Sequence, residues 1–276
     1  IRGNVAANNL VKINADHVTV ENVTFVGFHV ADGFSIVEAG ADFANTSQDL
    51  AFLNCAFTDI RSPLAAGIRA GGIHRLRIRD CIFILFDGIQ QTVARTPIGI
   101  KIGQTVGSID ANLNIEISRC HFRHEYPLPG VGGSILAKDI ELNRVLGASI
   151  VGCHSLVGNV GAGLTHIFAE LKQVSAQGKG VVLQGNNLRR HNNFIKQTGA
   201  FVKVAVGGNS YADHQGADPV IDLASGNAGW SLVGNVIEGT TGVNLQVGAD
   251  NNVVVGNVAN VANAGLGNQV ANNVAP

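Results

Sequence analysis

The sequence predicts an all-β fold, a parallel β-helix of about nine coils with three short parallel sheets. The first observation is a five-residue motif that recurs nine times along the chain. The second is an apolar alternation with a period of two that runs into each copy, which is typical of a strand that ends at a turn. Successive copies lie from 22 residues (Asn235 to Asn257) to 39 residues (Cys81 to Cys120) apart, which indicates coils of constant size with loops of different length.

The motif is clearest at Asp80-Cys81-Ile82-Phe83, and the position of Cys81 is called the rung. The residue before the rung is Gly, Asn or Asp in every copy except at Arg119. Because these three residue types tolerate a positive φ, a sharp turn is predicted in each coil. The nine rungs are Val23, Cys55, Cys81, Cys120, Cys153, Asn186, Asn209, Asn235 and Asn257.

Three strands are predicted in each coil. The second strand ends at the turn, because the residue three before the rung is always apolar, as Ile78 is before Cys81. The first strand lies upstream and alternates in the same way, for example at Ile100-Lys101-Ile102. The third strand begins after the rung, with an apolar residue such as Phe83 at its second position. Strands of neighbouring coils would then lie ~4.8 Å apart.

Composition narrows the class of protein. Charged residues make up 14% of the 276 residues and the net charge is −1, which gives no reason to expect a nucleic acid or an anionic membrane as partner. No apolar stretch reaches about 18 residues, so no transmembrane helix is predicted. The chain starts at Ile1 and contains no Met, so we expect a processed or excised part of a longer chain.

A single domain is expected over residues 1–276. Residues 260–276 repeat parts of the motif too early for a full coil, so they are expected to form an irregular final coil or a cap. All four cysteines occupy rungs without Cys-x-x-Cys spacing, and we interpret them as small apolar fillers equivalent to asparagine. His121 and His124 have a metal-like spacing, but no third ligand is apparent, so neither a metal nor a cofactor is predicted.

The Asn/Cys file and the Gly/Asn/Asp turn before it resemble the right-handed parallel β-helix of the pectin-lyase-like superfamily, which includes bacteriophage tailspikes and polysaccharide depolymerases. The resemblance covers about residues 10–260 and implies a short turn between the second and third sheets, lined by an asparagine ladder. It implies the fold more strongly than the activity, because lyases, hydrolases, epimerases and pure binders share it. Arg61-Ser62-Pro63 begins like a pectate-lyase motif, but Ala66 stands where its second arginine would be, so pectin enzymes are disfavoured.

Long loops after Phe83 and Phe122 are expected to leave the same corner of adjacent coils and to form one wall. Lys12, Arg69 and Lys101 should face outward beside that wall as a basic strip, with Ser35 between them. The candidate catalytic residues are Asp87, Glu125, Arg69 and Lys101, and the candidate substrate-binding residues are Lys12, Arg95, Arg123, His124, Tyr126 and Asp110.

Two kinds of chemistry suit these residues. Asp87 and Glu125 could flank a glycosidic bond as the two carboxyl groups of a glycosidase do. In lyases and epimerases that act on uronates, a side chain such as Lys or Arg instead removes the proton next to the carboxylate while a cation neutralises that carboxylate. Asp110, on an opposite loop, is a further carboxyl group.

The resemblance and these residues predict that the chain binds and depolymerises a bacterial surface polysaccharide, as a tailspike-type homotrimer on a virion tail or as a secreted protein. Outward Val37 and Val151 are candidates for the trimer contact. One alternative is a non-catalytic structural or receptor-binding β-helix, which the low aromatic content of 5% favours slightly. Another is a secreted monomeric polysaccharide lyase or epimerase.

Overall fold

In a computed structural model, the chain forms a right-handed parallel β-helix with three parallel sheets. The structure describes residues 9–27, 34–40, 47–60, 66–86, 97–103, 112–125, 135–158, 164–172, 178–199, 201–215, 218–238 and 242–275. Every strand pair is parallel and joins a strand to its counterpart in the next coil. Within these ranges there is no helix of the length and apolarity that a membrane span requires.

The strands are numbered in chain order and fall into three sheets. Sheet 1 contains β1 Val11–Ile13, β4 Ser35–Ala39, β7 Ala66–Ala70, β10 Ile98–Ile102, β13 Ile135–Asn143, β16 Leu164–Lys172, β19 Asn193–Thr198, β22 Ile221–Leu223, β25 Val243–Leu245 and β27 Val261–Asn263. Sheet 2 contains β2 Thr19–Glu21, β5 Ser47–Leu53, β8 Ile73–Arg79, β11 Asn112–Ser118, β14 Val145–Val151, β17 Gly178–Gln184, β20 Phe201–Gly207, β23 Ser231–Val233, β26 Val253–Val255 and β28 Gln269–Ala271. Sheet 3 contains β3 Thr24–Val26, β6 Ala56–Ile60, β9 Ile82–Phe86, β12 His121–Glu125, β15 His154–Val157, β18 Asn187–Arg189, β21 Ser210–Ala212 and β24 Val236–Ile237.

The predicted turn between sheets 2 and 3 is confirmed in every coil. The residue before the rung has a positive φ that ranges from 50° at Asn54 to 65° at Gly234 and Gly256. Arg119 adopts the same conformation, with a φ of 51°. Its guanidinium donates two hydrogen bonds of 2.7 Å to the carboxylate of Asp80 in the preceding coil, which helps to hold this unfavourable backbone.

Asparagine and cysteine rungs are held in different ways. The Nδ2 of each asparagine rung from Asn186 to Asn257 donates to the Oδ1 of the next one at 2.8–3.0 Å, and this ladder continues to Asn273. The four cysteines are free and buried, and their thiols donate to backbone carbonyls at 3.2–3.8 Å. Contact with the Cys153 thiol, together with burial, raises the pKa of Cys120, so it stays a neutral filler.

An aromatic file runs through the first half of the core. The rings of Phe25, Phe57, Phe83 and Phe122 stack with centroids 5.0, 4.9 and 5.0 Å apart, one ring per coil of sheet 3. The strand register places Ser155 next in this file, so the file ends there. Stacked aromatic rings and the surrounding apolar side chains supply most of the buried area that holds neighbouring coils together.

The final residues extend the rod. Residues 260–276 were expected to form an irregular coil or a cap. In this segment, β27 adds a strand to sheet 1, β28 adds a strand to sheet 2, and Asn273 adds a rung to the ladder. This last coil is short, because only 16 residues separate Asn257 from Asn273.

Candidate functional site

The outer row of sheet 1 carries mixed charge, so the expected basic strip is wrong. The register pairs Lys12 with Glu38, Glu38 with Arg69, and Arg69 with Lys101. Ser35, which was expected between the cations, is fully buried. Val37 and Ala39 are the inward residues of β4. Glu38 therefore faces outward at the place where Ser35 was expected. Val37 points into the core and cannot form an outer trimer contact, whereas Val151 is exposed as expected.

The row continues into a network of ion pairs. Lys101 Nζ lies 3.4 Å from Glu141 Oε1, and Lys138 Nζ donates to Glu141 Oε2 at 2.7 Å and also contacts Glu170. Burial alone would raise the pKa of Glu141, but the charges of Lys138 and Lys101 outweigh it and lower that pKa. Lys101 is therefore held by a neighbouring carboxylate, while Lys12 is exposed.

The candidates on β12 are separated by the alternation of the strand. Arg123 faces outward, whereas His124 has no exposed surface and points inward, as Phe122 does two residues earlier. The expectation that His124 belongs to a surface loop is wrong because β12 extends through Glu125, which pairs with Phe86. Asp87, Arg95, Asp110 and Tyr126 lie outside the described residues, as does the side chain of Glu125.

The outer face of sheet 2 has a groove that sequence reasoning missed. It has a volume of about 570 Å³ and crosses β5, β8, β11, β14 and β17. A file of left-handed residues runs through the middle of these strands, with φ values between 55° and 80°. The residues that line the groove include Asp49, Arg75, Arg77, Asn114, Glu116, Gly147, Ser149 and Gly180.

Two of the left-handed positions keep the floor of the groove open. Gly147 and Gly180 lie side by side in register, with φ of 80° and 74°. A side chain at Gly180 would project over the backbone of Gly147, 3.6 Å away, so the absence of side chains there leaves room for a ligand. Recurrent left-handed residues in mid-strand are the signal by which this groove could have been found.

Ion pairs occupy most of the charges of the groove. The Arg75 guanidinium contacts the Asp49 carboxylate at 2.6 and 2.7 Å, and that of Arg79 donates to Glu116 at 2.6 and 2.7 Å. Hydrogen bonds from Arg79 lower the pKa of Glu116, which is therefore ionised near neutral pH. Arg77 is exposed, and among the described residues it forms no ion pair.

A second polar cluster lies inside the core, where none was expected. His124, Asp139, Ser155 and His191 meet where sheet 3 of one coil leads to sheet 1 of the next. The cluster continues the aromatic file, with Ser155 in register with Phe122. Burial would raise the pKa of Asp139, but its contacts with His124 and His191 outweigh burial and lower it, so this buried group is a carboxylate.

Aromatic side chains surround this cluster. The ring of Phe168 lies 6.5 Å from that of His191, and the Tyr211 hydroxyl donates to the carbonyl of His191. The ring of His166 lies 5.2 Å from that of His124, and burial lowers the pKa of His166 to about 2, so it is neutral.

No protein-family model matches this chain, and no curated protein sequence matches it either.

Proposed function

We propose that this β-helix binds an acidic polysaccharide in the groove on sheet 2, as a surface protein of the tailspike type. The observation that carries the proposal is Arg77, an exposed guanidinium that forms no ion pair with the described residues, in a groove that crosses five coils. A guanidinium can hold a carboxylate or sulfate with two parallel hydrogen bonds, which makes arginine well suited to an anionic sugar.

The shape of the groove favours a chain-like ligand. Five neighbouring strands span about 19 Å at ~4.8 Å per step, so the groove runs along the rod. The side chains of Asn114 and Ser149 line it on the next two strands beyond Arg77 and offer hydrogen-bonding groups to sugar hydroxyls. A polymer with a repeating anionic group would therefore place one charge on Arg77 and its hydroxyls on these two side chains.

The carboxylates of the groove support binding more than cleavage. A glycosidase needs one protonated carboxyl group as general acid, with a raised pKa. Glu116 has a lowered pKa, and Asp49 is bound to Arg75, so neither matches that role. The lowered pKa of Glu116 and the pairing of Asp49 with Arg75 favour, as the second candidate function, a receptor-binding protein that does not cleave its ligand. Depolymerisation by Asp87 and Glu125 stays a prediction.

A matched pair of polymers tests the proposal. The full chain is titrated with a panel of polyuronates from bacterial capsules and with the same polymers after chemical reduction of their carboxyl groups. We expect saturable binding of at least one polyuronate and at least tenfold weaker binding of its reduced form, because reduction removes the anion that Arg77 recognises. Equal affinity for both forms, or no binding across the panel, would reject the proposal.

The same samples distinguish cleavage from binding. New reducing ends without the absorbance of an unsaturated uronate indicate a hydrolase, and that absorbance indicates a lyase. Binding without either product indicates a receptor-binding protein. The homotrimer and the location on a virion tail or outside the cell also stay predictions, and the mass of the protein in solution tests the first of them.

A further inference from the structure

The buried cluster brings together side chains that are distant in sequence. His124 comes from the coil of Cys120, Asp139 and Ser155 come from the next coil, and His191 comes from the coil after that. None of them is more than 3% exposed. Burial of a carboxylate away from water is costly unless a positive charge compensates it, so the cluster needs a cation.

The hydrogen bond on the far side of one ring fixes its orientation. The Nδ1 of His191 lies 3.0 Å from the carbonyl oxygen of Arg189, which can only accept, so this nitrogen carries the proton. In the neutral ring, the Nε2 lone pair then faces the cluster. A backbone carbonyl that orients an imidazole in this way is the usual outer partner of a metal-binding histidine.

The protons available in the cluster do not suffice for its acceptors. His124 Nε2 lies 2.5 Å from Asp139 Oδ1 and can donate one proton. The Ser155 hydroxyl has a single proton but lies 2.5 Å from Asp139 Oδ2 and 2.9 Å from His191 Nε2. With neutral rings, His191 Nε2 and Asp139 Oδ2 therefore face each other at 3.3 Å without a hydrogen between them.

We propose that this cluster is a structural site for a divalent transition-metal ion of the Zn²⁺ class. The ligands would be the Nε2 atoms of His124 and His191 and the carboxylate of Asp139, with the Ser155 oxygen as the fourth group, and the Nε2 proton of His124 would be released to solvent when the ion binds. The three ligand atoms lie within 4.8 Å of one another, so shifts of about 1 Å would bring them to the spacing of roughly 3.4 Å around a tetrahedral ion that binds each ligand at about 2.0–2.2 Å.

The kind of ion follows from the donor atoms. Two imidazole nitrogens favour Zn²⁺, Co²⁺ or Ni²⁺ over Mg²⁺ and Ca²⁺, which prefer oxygen ligands. All the ligands are fully buried among apolar side chains, so the site would join three coils and would not activate a water molecule for catalysis. The competing occupant is a proton on His191, which would turn the cluster into a buried ion pair.

Metal content of the purified protein decides between the two occupants. The full chain is produced in medium with Zn²⁺, passed through a desalting column, and analysed for metal by mass spectrometry. We expect about one Zn²⁺ per chain in the unaltered protein and less than a tenth of that in Asp139→Asn, which keeps the shape of the side chain and removes its charge. The matched control is His121→Gln with His154→Gln, because these stacked histidines lie on the outer face.

The outcomes separate cleanly. Full metal content in the control and loss in Asp139→Asn support the site. Less than a tenth of an ion per chain in the folded unaltered protein, unchanged content in Asp139→Asn, or loss in the outer-face control would overturn it.

A second measurement covers the case in which Asp139→Asn does not fold. The unaltered chain is produced with Co²⁺ in place of Zn²⁺, and the visible absorption of four-coordinate Co²⁺ is recorded for it and for Ser155→Ala. We expect the absorption in both, with a changed spectrum in Ser155→Ala. We also expect a chelator to lower the Tm of the Zn²⁺ protein by about 5 °C and added Zn²⁺ to restore it. Absence of Co²⁺ absorption, or a Tm that the chelator does not change, would overturn the proposal.

Discussion

The two halves of the rod make the same turn with different chemistry. From Cys55 to Cys153 the rung is a thiol, and from Asn186 onward it is an amide, yet the preceding residue has a φ between 50° and 65° throughout. The outer face of sheet 2 changes at nearly the same place, from charged side chains around Arg77 to apolar ones such as Val182 and Val233, which are 37% and 47% exposed. The left-handed residue thus determines the turn, and the rung and the outer face can vary independently of it.

The asparagine rungs form more and shorter hydrogen bonds between neighbouring coils than the cysteine rungs do. Asn235 donates to the carbonyl of Val206 and to Asn257 Oδ1, and its own Oδ1 accepts from the backbone and side-chain nitrogens of Asn209. Each amide therefore links three coils. The thiol of Cys120 donates weakly to the carbonyl oxygens of Ile78 and Ser118, both at 3.5 Å.

Removal of one rung from each half should show this difference most clearly. Asn235→Ala leaves two buried donors of Asn209 without an acceptor, so we expect a loss of about 3–5 kcal/mol in the free energy of unfolding. Cys120→Ala removes a small apolar group and should cost about 1–2 kcal/mol. Urea unfolding of the two variants measures the difference, and equal losses would show that the ladder is no stronger than the thiol file.

Extension of the ladder tests whether the rungs are interchangeable. Cys153 N already donates to Asn186 Oδ1 at 2.9 Å, so Cys153→Asn should add a rung whose Nδ2 bonds to that same oxygen. In Cys81→Asn, one N–H would instead face the thiol of Cys120. We expect Cys153→Asn to be the more stable variant by about 1–2 kcal/mol in urea unfolding. The reverse order would contradict the ladder geometry.

The outer face gives a smaller effect, on binding. Arg77→Ala should weaken binding of the recognised polyuronate about tenfold, which corresponds to about 1.4 kcal/mol. Arg77→Lys keeps the charge but loses the two parallel hydrogen bonds, so its affinity for the polyuronate should lie between those of the unaltered protein and Arg77→Ala. Lys203→Ala is the matched control, because Lys203 is an exposed cation that occupies the same left-handed file outside the residues that line the groove. Equal weakening by the control would mean that binding depends on net charge alone.

The smallest effect is a pH dependence specific to the charged half. Because the folded pKa of Glu116 is lowered, its pair with Arg79 stabilises the protein above the unfolded pKa of about 4.3, and this contribution is lost as the pH falls through the folded pKa. The stability advantage over Glu116→Gln should be about 0.2–1 kcal/mol at pH 6 and should vanish at low pH. Urea unfolding at several pH values measures it. Glu21→Gln, at an exposed glutamate, should show no such trend.

Local patterns in the sequence predict the fold well, because each coil repeats the same requirements. The left-handed turn before each rung is confirmed, and the three strands per coil are confirmed in eight of the nine predicted coils. The errors at Ser35 and Val37 arise from the choice of the inward residues in β4, where four of the five side chains are buried.

The sites are harder to predict because they depend on how the coils stack. The His121-x-x-His124 spacing suits a metal only if both rings lie on the same face, but the alternation of β12 places the two rings on opposite faces. Asp139 sits in a strand that is almost fully buried, so its period-two pattern conceals the direction of the side chain. The sequence feature that indicates a polar cluster is Ser155, a serine at the inward position that Phe122 occupies in the preceding coil.

Arginine footprinting tests most directly whether the charged half binds the polysaccharide. The protein is treated with an arginine-specific dicarbonyl reagent, with and without the polyuronate, and the labelled positions are identified by mass spectrometry. We predict that Arg77 is labelled in the free protein and protected in the complex, while Arg189, which is paired with Asp213 on sheet 3, is labelled to the same extent in both. Labelling of Arg77 that the bound polyuronate leaves unchanged would contradict a binding site in the groove.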